Sequence, residues 1–210
     1  MQKKPLKYII IIAIVALLGY KSVYFKKLDE MKQTTNQKFD AASFTQKLWK
    51  DKLSGKLDSA VELTALVEQI KANPTVAFDK YSNTMAIGNY RYSLVKTQGV
   101  VTAVNEDDVA LEVPTAGGII NVTIATEFIY GNAIRDASKL IDVKDFTNST
   151  DLSNISEALN AMVRKEVLPS FKTAVKKGNT VSITAAIEIN KEHIKLDGLE
   201  LIPVKIKIVQ

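Results

Sequence analysis

Hydrophobic and polar positions divide the chain into stretches of different period. Tyr8 to Tyr20 reads YIIIIAIVALLGY, thirteen residues without a charge, behind Lys3, Lys4 and Lys7. With Lys21 snorkelling, residues 8–25 supply eighteen positions, close to the ~20 that cross a bilayer core. No small-x-small cleavage pattern follows, so residues 1–28 read as an uncleaved signal-anchor rather than a removed signal peptide. The expectation is a single pass through the inner (cytoplasmic) membrane with the body facing the periplasm. Residues 29–40 (DEMKQTTNQKFD) are polar throughout and read as a stalk before a single body over 41–210. There the period becomes helical. Phe44, Leu48 and Trp49 predict one helix ending near Ser54-Gly55. Ser59 with Glu62 reads as a capping box before Leu63, Leu66, Val67 and Ile70, and Asn73-Pro74 as the stop. Residues 41–75 are thus a predicted helical pair.

From Tyr90 the period falls to two. Tyr90, Tyr92 and Leu94 alternate with Arg91, Ser93 and Val95, and beyond Gly99 the alternation continues to Val104. Asn105 to Asp108 reads as a turn, Val109–Val113 as a second strand, and Ile120–Ile124 as a third after the turn at Pro114–Gly118. Val181–Ile189 forms a fourth strand and Leu199–Ile208 a fifth, whose inward register slips by one at Ile202-Pro203, the mark of a bulge or bend. The inserted segment 126–178 is helical at its centre, with Ile155, Leu159 and Met162/Val163 behind Asp151 and Ser153 as cap candidates. Pro169 should kink or split that helix and Gly178 end it. Three strands, a helix and two strands is the order of an oligonucleotide/oligosaccharide-binding (OB) barrel, and Gly99 suits the bend its long first strand requires. The predicted class is therefore α+β: a five-stranded OB-like β-barrel over 90–210, behind a small helical layer. An open α+β sheet of the same elements is the alternative.

Composition narrows the chemistry. With no cysteine, disulfides, zinc ribbons, iron–sulfur clusters, thiol catalysis and a cysteine-linked lipid are removed together. One histidine, His193, leaves little for histidine-built metal sites; it falls in a turn and reads as exposed. Net charge is +5, but six of the 28 basic residues lie in residues 1–28 beside no acid, leaving 22 against all 23 acids in the rest. The near-neutral body lacks the clustered positive field that nucleic-acid affinity rests on. Tyr90, Arg91 and Tyr92 could stack bases as OB folds do, yet tyrosines on a half-buried strand more often pack.

The densest polar group is Gly131-Asn132-Ala133-Ile134-Arg135-Asp136, followed by Asp142, Asp145, Thr147, Asn148 and Asp151. Carboxylates beside one arginine suit a cation, sugar hydroxyls or a small anion, but the spacing does not match a calcium loop. Arg135 and Asp136 orienting one another to tie down a loop is the plainer reading. Asn121 and Asn148 open glycosylation sequons, a pattern common by chance. No P-loop, dinucleotide fingerprint, nucleophile elbow or metalloprotease helix is present, so no enzyme and no cofactor or metal is expected. The ligand- or partner-binding candidates are Gly131, Arg135, Asp136, Asp145 and Asn148.

The run Gly131 to Ala137, continued by Asp145-Phe-Thr-Asn148 and Ala158-Leu-Asn160, resembles the signature of a bacterial family of unknown function whose members are described as predicted periplasmic lipoproteins. Phe39-Asp40-Ala41 with Trp49, Asn73-Pro74 with Lys80-Tyr81, and Gly99 to Asn105 extend the likeness across residues 37–208. Such members are often encoded beside simple-sugar ABC transporters, so the resemblance implies an accessory role in sugar uptake, with transporter subunits or a small polar ligand as partners. Two departures stand out: the lipid-attachment cysteine is missing, so a protein anchor would replace it, and Ser149 follows Phe-Thr-Asn where the family commonly has glutamine. Phe146, inside the motif, reads as a core plug. The resulting expectation is a membrane-tethered, non-enzymatic binding protein. An envelope hydrolase using carboxylates of the 135–151 region stands as the alternative, and a single-stranded nucleic-acid module as the remoter one.

Overall fold

The computed structural model describes residues 39–85 and 87–209. The expected anchor and nearly all of the stalk lie outside these residues; among the described residues no helix is long and apolar enough to cross a membrane. Residues from Asp40 onward form one compact unit.

The unit opens with helix α1, Ala41–Leu48, which Asp40 caps by accepting from the Ser43 N–H and Oγ. The helix does not stop at Ser54-Gly55. It passes through a π turn at Trp49–Leu53 into α2, Ser54–Asp58, because Leu48, Leu53 and Leu57 are all buried and hold the chain against the core. The predicted capping box does not form either. Val61–Glu62 (β1) is extended and pairs in parallel with Val95–Lys96, so Ser59 turns back and donates to the Lys56 carbonyl. Helix α3, Leu63–Ala72, therefore starts without a side-chain cap, and buries Leu63, Leu66, Val67 and Ile70. Asn73-Pro74 ends α3 as expected but also begins α4, Pro74–Tyr81: Asn73 accepts from the Val76 N–H and proline occupies the first turn, where its missing N–H costs nothing.

The five expected strands are present as β2 (Tyr90–Val104), β3 (Asp108–Thr115), β4 (Gly118–Ala125), β5 (Thr180–Asn190) and β6 (Leu199–Ile208), and the short β1 makes a sixth. The sheet order is β1-β2-β3-β4-β6-β5, with β5 pairing again to β2, so five strands form a closed circuit. All neighbours in it are antiparallel except β4 and β6. The long β2 serves both halves: Tyr90–Val100 pairs with β5 and Val100–Val104 with β3. At the changeover a Cβ on Gly99 would lie 2.6 Å from the Glu112 carbonyl oxygen and 2.8 Å from Leu111 Cδ2. Glycine is the residue that lets the two backbones come so close. The expected slip in β6 is a bulge: Thr184 faces Lys205 while Ala185 faces Pro203, leaving Val204 extra.

Val95, Leu111, Ile124, Ile183, Ile187 and Leu201 meet inside the circuit, joined by α3, by Phe78 of α4 and by Phe171. The segment between β4 and β5 carries α5 (Ala133–Ser138), a 3₁₀ turn at Val143–Asp145, α6 (Ser149–Met162), a π turn at Val163–Val167 and α7 (Leu168–Ala174). Pro169 sits in the first turn of α7, so the expected split occurs, by a π turn rather than a break. The helix ends at Ala174 rather than at Gly178, whose φ of 89° belongs to the following turn, where its N–H bonds the Val101 carbonyl.

Candidate functional site

The candidate motif folds into α5 and its flanks, and all six residues of α5 are buried. Arg135 Nε donates to Asp136 Oδ1 at 2.7 Å, and Arg135 Nη1 to the Leu152 carbonyl in α6 at 3.2 Å. The second carboxylate oxygen of Asp136 accepts from the Met85 N–H at 3.4 Å, and its carbonyl from Asn83 Nδ2 at 2.9 Å. The ion pair is thus inside the protein (side chains 7% and 2% exposed) and clamps α5 between α6 and residues 83–85. Ser138 Oγ closes the helix by donating to the Arg135 carbonyl while accepting from the Leu140 N–H.

Two further side chains complete the clamp. Ser156 donates to Asn132 Oδ1 at 2.9 Å, and Asn160 Nδ2 to the Gly131 carbonyl at 3.0 Å. Both are buried, and they stand four apart on α6 beside Ile155 and Leu159. A polar pair spaced to lie on an apolar stripe is the sequence signal by which they could have been found, since buried polar groups need partners. Gly131 adopts φ 77° before α5, where a residue with a Cβ would be strained.

The remaining candidates separate from this cluster. Asn148 is the cap of α6: Oδ1 accepts from the Asp151 N–H and Nδ2 donates to Asp151 Oδ2, both at 2.9 Å. It supplants the expected caps Asp151 and Ser153, which lie three and five residues further on, because the helix starts well before its apolar stripe at Ile155. Phe146 is only half-buried and meets Phe44 of α1 edge-on, with centroids 5.8 Å apart, so it clasps the first helix to this segment instead of plugging the core. Asp145 is exposed and, with Asn83, Met85, Lys139, Ile141 and Asp142, lines a polar depression of about 430 Å³. Met85 connects the two regions, since its N–H reaches the Asp136 carboxylate behind the depression. Gly131, Arg135, Asp136 and Asn148 do not line it.

Tyr92 packs on the same side. Burial pushes its phenol well above the usual range, and the carboxylates of Glu188 and Asp136 push in the same direction. It stays a neutral hydroxyl under all ordinary conditions. Tyr92 is buried, Tyr90 is exposed, and Arg91 is turned onto the Gly88 and Tyr90 carbonyls, so the three residues do not present a stacking platform. His193 is exposed in the turn after β5. Among the described residues no group of three or more His, Asp or Glu could hold a metal ion.

The fold is similar to that of an OB-fold protein from Thermotoga maritima, with a TM-score of 0.72 and 23% identity, covering 82% of this chain and 99% of that one. At that identity the likeness shows the OB fold and nothing finer. The Stn1–Ten1 complex of S. pombe also matches, at 13% identity over 56% of this chain and 58% of that one, but its TM-score of 0.26 carries no argument. No curated protein matches the chain in sequence. Residues 13–207 match the family described as predicted periplasmic lipoprotein (DUF2291), so the chain belongs to that family, whose function is unknown.

Proposed function

We propose that the protein is a non-enzymatic binding or accessory protein of the cell envelope. Residues 8–25 hold it in the inner membrane as a single pass, and the OB-like barrel faces the periplasm. The family's periplasmic description supports the location. The absence of any cysteine supports a protein anchor in place of a lipid, and the run from Tyr8 supplies one.

One observation carries the binding reading. Both charges of the motif are spent inside the protein, Arg135 on Asp136 and the Leu152 carbonyl, Asp136 on Arg135 and the Met85 N–H. A carboxylate so held frames a surface; it is not placed to take a proton from a substrate. The surface it frames is the depression along residues 83–85 and 139–145, which presents polar groups from a braced backbone. On the family resemblance its partner is a subunit of a sugar uptake transporter.

Protease added to intact spheroplasts, combined with photocrosslinking in cells, tests both halves. A crosslinker at Val143, which is exposed in the depression, is expected to capture a transporter permease or binding subunit; one at Glu106 in the β2–β3 turn is not. External protease is expected to digest the body. A body protected from that protease would overturn the topology. Identical adduct profiles from the two positions would overturn the docking surface.

A further inference from the structure

A second cleft, about 250 Å³, shares Lys139 with the first depression and gathers positive charge from three separate elements. Lys56 comes from α2, Lys80 from α4 and Lys139 from the residue just past α5, and Ser59, Tyr81 and Leu94 line the space between them. No carboxylate lines it. Among the described residues none of the three ammonium groups has a carboxylate oxygen within 4.0 Å. Elsewhere the same molecule pairs Lys96 with Glu62, Lys172 with Glu127 and Lys191 with Glu192. Like charges collected without a counter-ion repel, and here the repulsion acts: the Lys139 ammonium is lowered by partial withdrawal from water and then by Lys56.

Two details fix groups that line the cleft. Lys139 is the one non-glycine with positive φ among the described residues, at 56° and ψ 24°. It is the left-handed cap that ends α5, its N–H bonding the Asp136 carbonyl, and the side chain that follows lines the cleft. Tyr81 is set as a donor: its oxygen accepts from Gln69 Nε2 at 3.2 Å, and the Lys80 ammonium stands 4.8 Å over its ring. The hydroxyl proton of Tyr81 is thereby left for a further acceptor.

We propose that this cleft binds a phosphate group, with Lys56, Lys80 and Lys139 supplying the counter-charge and the Tyr81 hydroxyl a hydrogen bond. Three point charges over-compensate one carboxylate, whereas a phosphate monoester brings close to two negative charges and three acceptor oxygens. The site shares Lys139 with the depression proposed above as the partner surface, whereas Lys56, Lys80 and Tyr81 lie outside that depression, so variants at Lys56 and Lys80 read the phosphate site alone. Its ligand is a free phosphate monoester or inorganic phosphate, or the phosphate monoester of a phosphatidic acid headgroup.

Calorimetric titration of the full-length chain in non-ionic detergent with inorganic phosphate, at constant ionic strength, tests the site. Wild type is expected to give saturable one-to-one binding. Lys56→Gln and Lys80→Gln are each expected to weaken it about tenfold, the loss of one hydrogen bond to a charged group. Lys139→Gln is expected to do the same; should it misfold at its left-handed position, the other two variants, on helix surfaces, decide. Doping the micelles with phosphatidic acid, whose headgroup is a phosphate monoester, separates the sources. Competition with inorganic phosphate there, absent with phosphatidylcholine, identifies the headgroup; saturable binding with no competition identifies a free phosphate compound. No saturable heat in wild type, or equal affinity across wild type and the folded variants, would overturn the proposal.

Discussion

At the scale of single residues, the Arg135–Asp136 pair shows how a polar motif becomes structural. Taking two charges out of water costs several kcal/mol per ion, and their attraction repays it only where the remaining donors and acceptors are also satisfied. Here they are satisfied by backbone: the Leu152 carbonyl on one side, the Met85 N–H on the other. Arg135→Ala strands a carboxylate that is about 1% exposed and leaves the Leu152 carbonyl without the guanidinium. We expect it to lower unfolding stability by about 3–5 kcal/mol, read from the midpoint of urea denaturation. Arg135→Met combined with Asp136→Asn removes both charges and keeps an oxygen for the Met85 N–H, so it should lose clearly less than Arg135→Ala alone. A double variant as unstable as the single one would show that burial of the charge is not the cost. The adjacent asparagines follow the same logic, since Asn83 and Asn160 each donate to a carbonyl of the motif, Asp136 and Gly131 respectively.

At the scale of elements, β2 carries the fold, because one strand must pair with β5 over its first eleven residues and with β3 over its last five. Gly99 stands at the changeover, and Gly99→Ala should cost about 1–3 kcal/mol by overpacking, with Leu111 and the Glu112 backbone giving way to the new Cβ. Thermal unfolding followed by circular dichroism measures this; an unchanged midpoint would mean that the strands separate there at little cost. The strands were legible in the sequence because period-two alternation is a local signal, and the slip at Ile202-Pro203 was visible in the same way. The helical layer was less so. β1 is two residues long and exists only through Val95 and Lys96, more than thirty positions away, so nothing local marks it, and its pairing is what displaces the capping box at Ser59. α4 was hidden by Pro74, which ends a helix and starts one with equal ease. The candidate motif was legible as a cluster, and its plainer reading, Arg135 tied to Asp136, is what the structure contains. Its distribution was not legible: Asp145 faces outward, Asn148 caps a helix and the Arg135–Asp136 pair is inside, because burial is decided by tertiary packing. The Lys56, Lys80 and Lys139 cleft could not be read at all, since its residues are separated by 24 and 59 positions and meet only when α2, α4 and α5 dock.

At the scale of the whole molecule, an OB fold invites a nucleic-acid reading, and the charge distribution argues against it. Fold alone does not assign function. Binding a single strand needs a basic groove that follows the backbone and exposed aromatic faces on which bases stack. Beyond residue 28 the chain holds 22 basic and 23 acidic residues, and the exposed aromatic pair Phe128 and Tyr130 stacks on itself, with Arg164 over the Tyr130 ring. That arginine is bound to Glu157 and the Ile129 carbonyl, so its charge is already answered. The lysines of the second cleft form a compact cluster suited to one phosphate rather than a track for many. A fragment carrying residues 29–210, free of the six N-terminal lysines, should therefore leave the anisotropy of a fluorescent single-stranded oligonucleotide unchanged at low salt. Retention that weakens steeply as salt is raised would signal released counterions from several phosphates and would restore the nucleic-acid reading. Weak binding that changes little as salt is raised and is abolished by Lys56→Gln would instead trace to the second cleft, because a single-phosphate site releases few counterions and its salt dependence must be shallow.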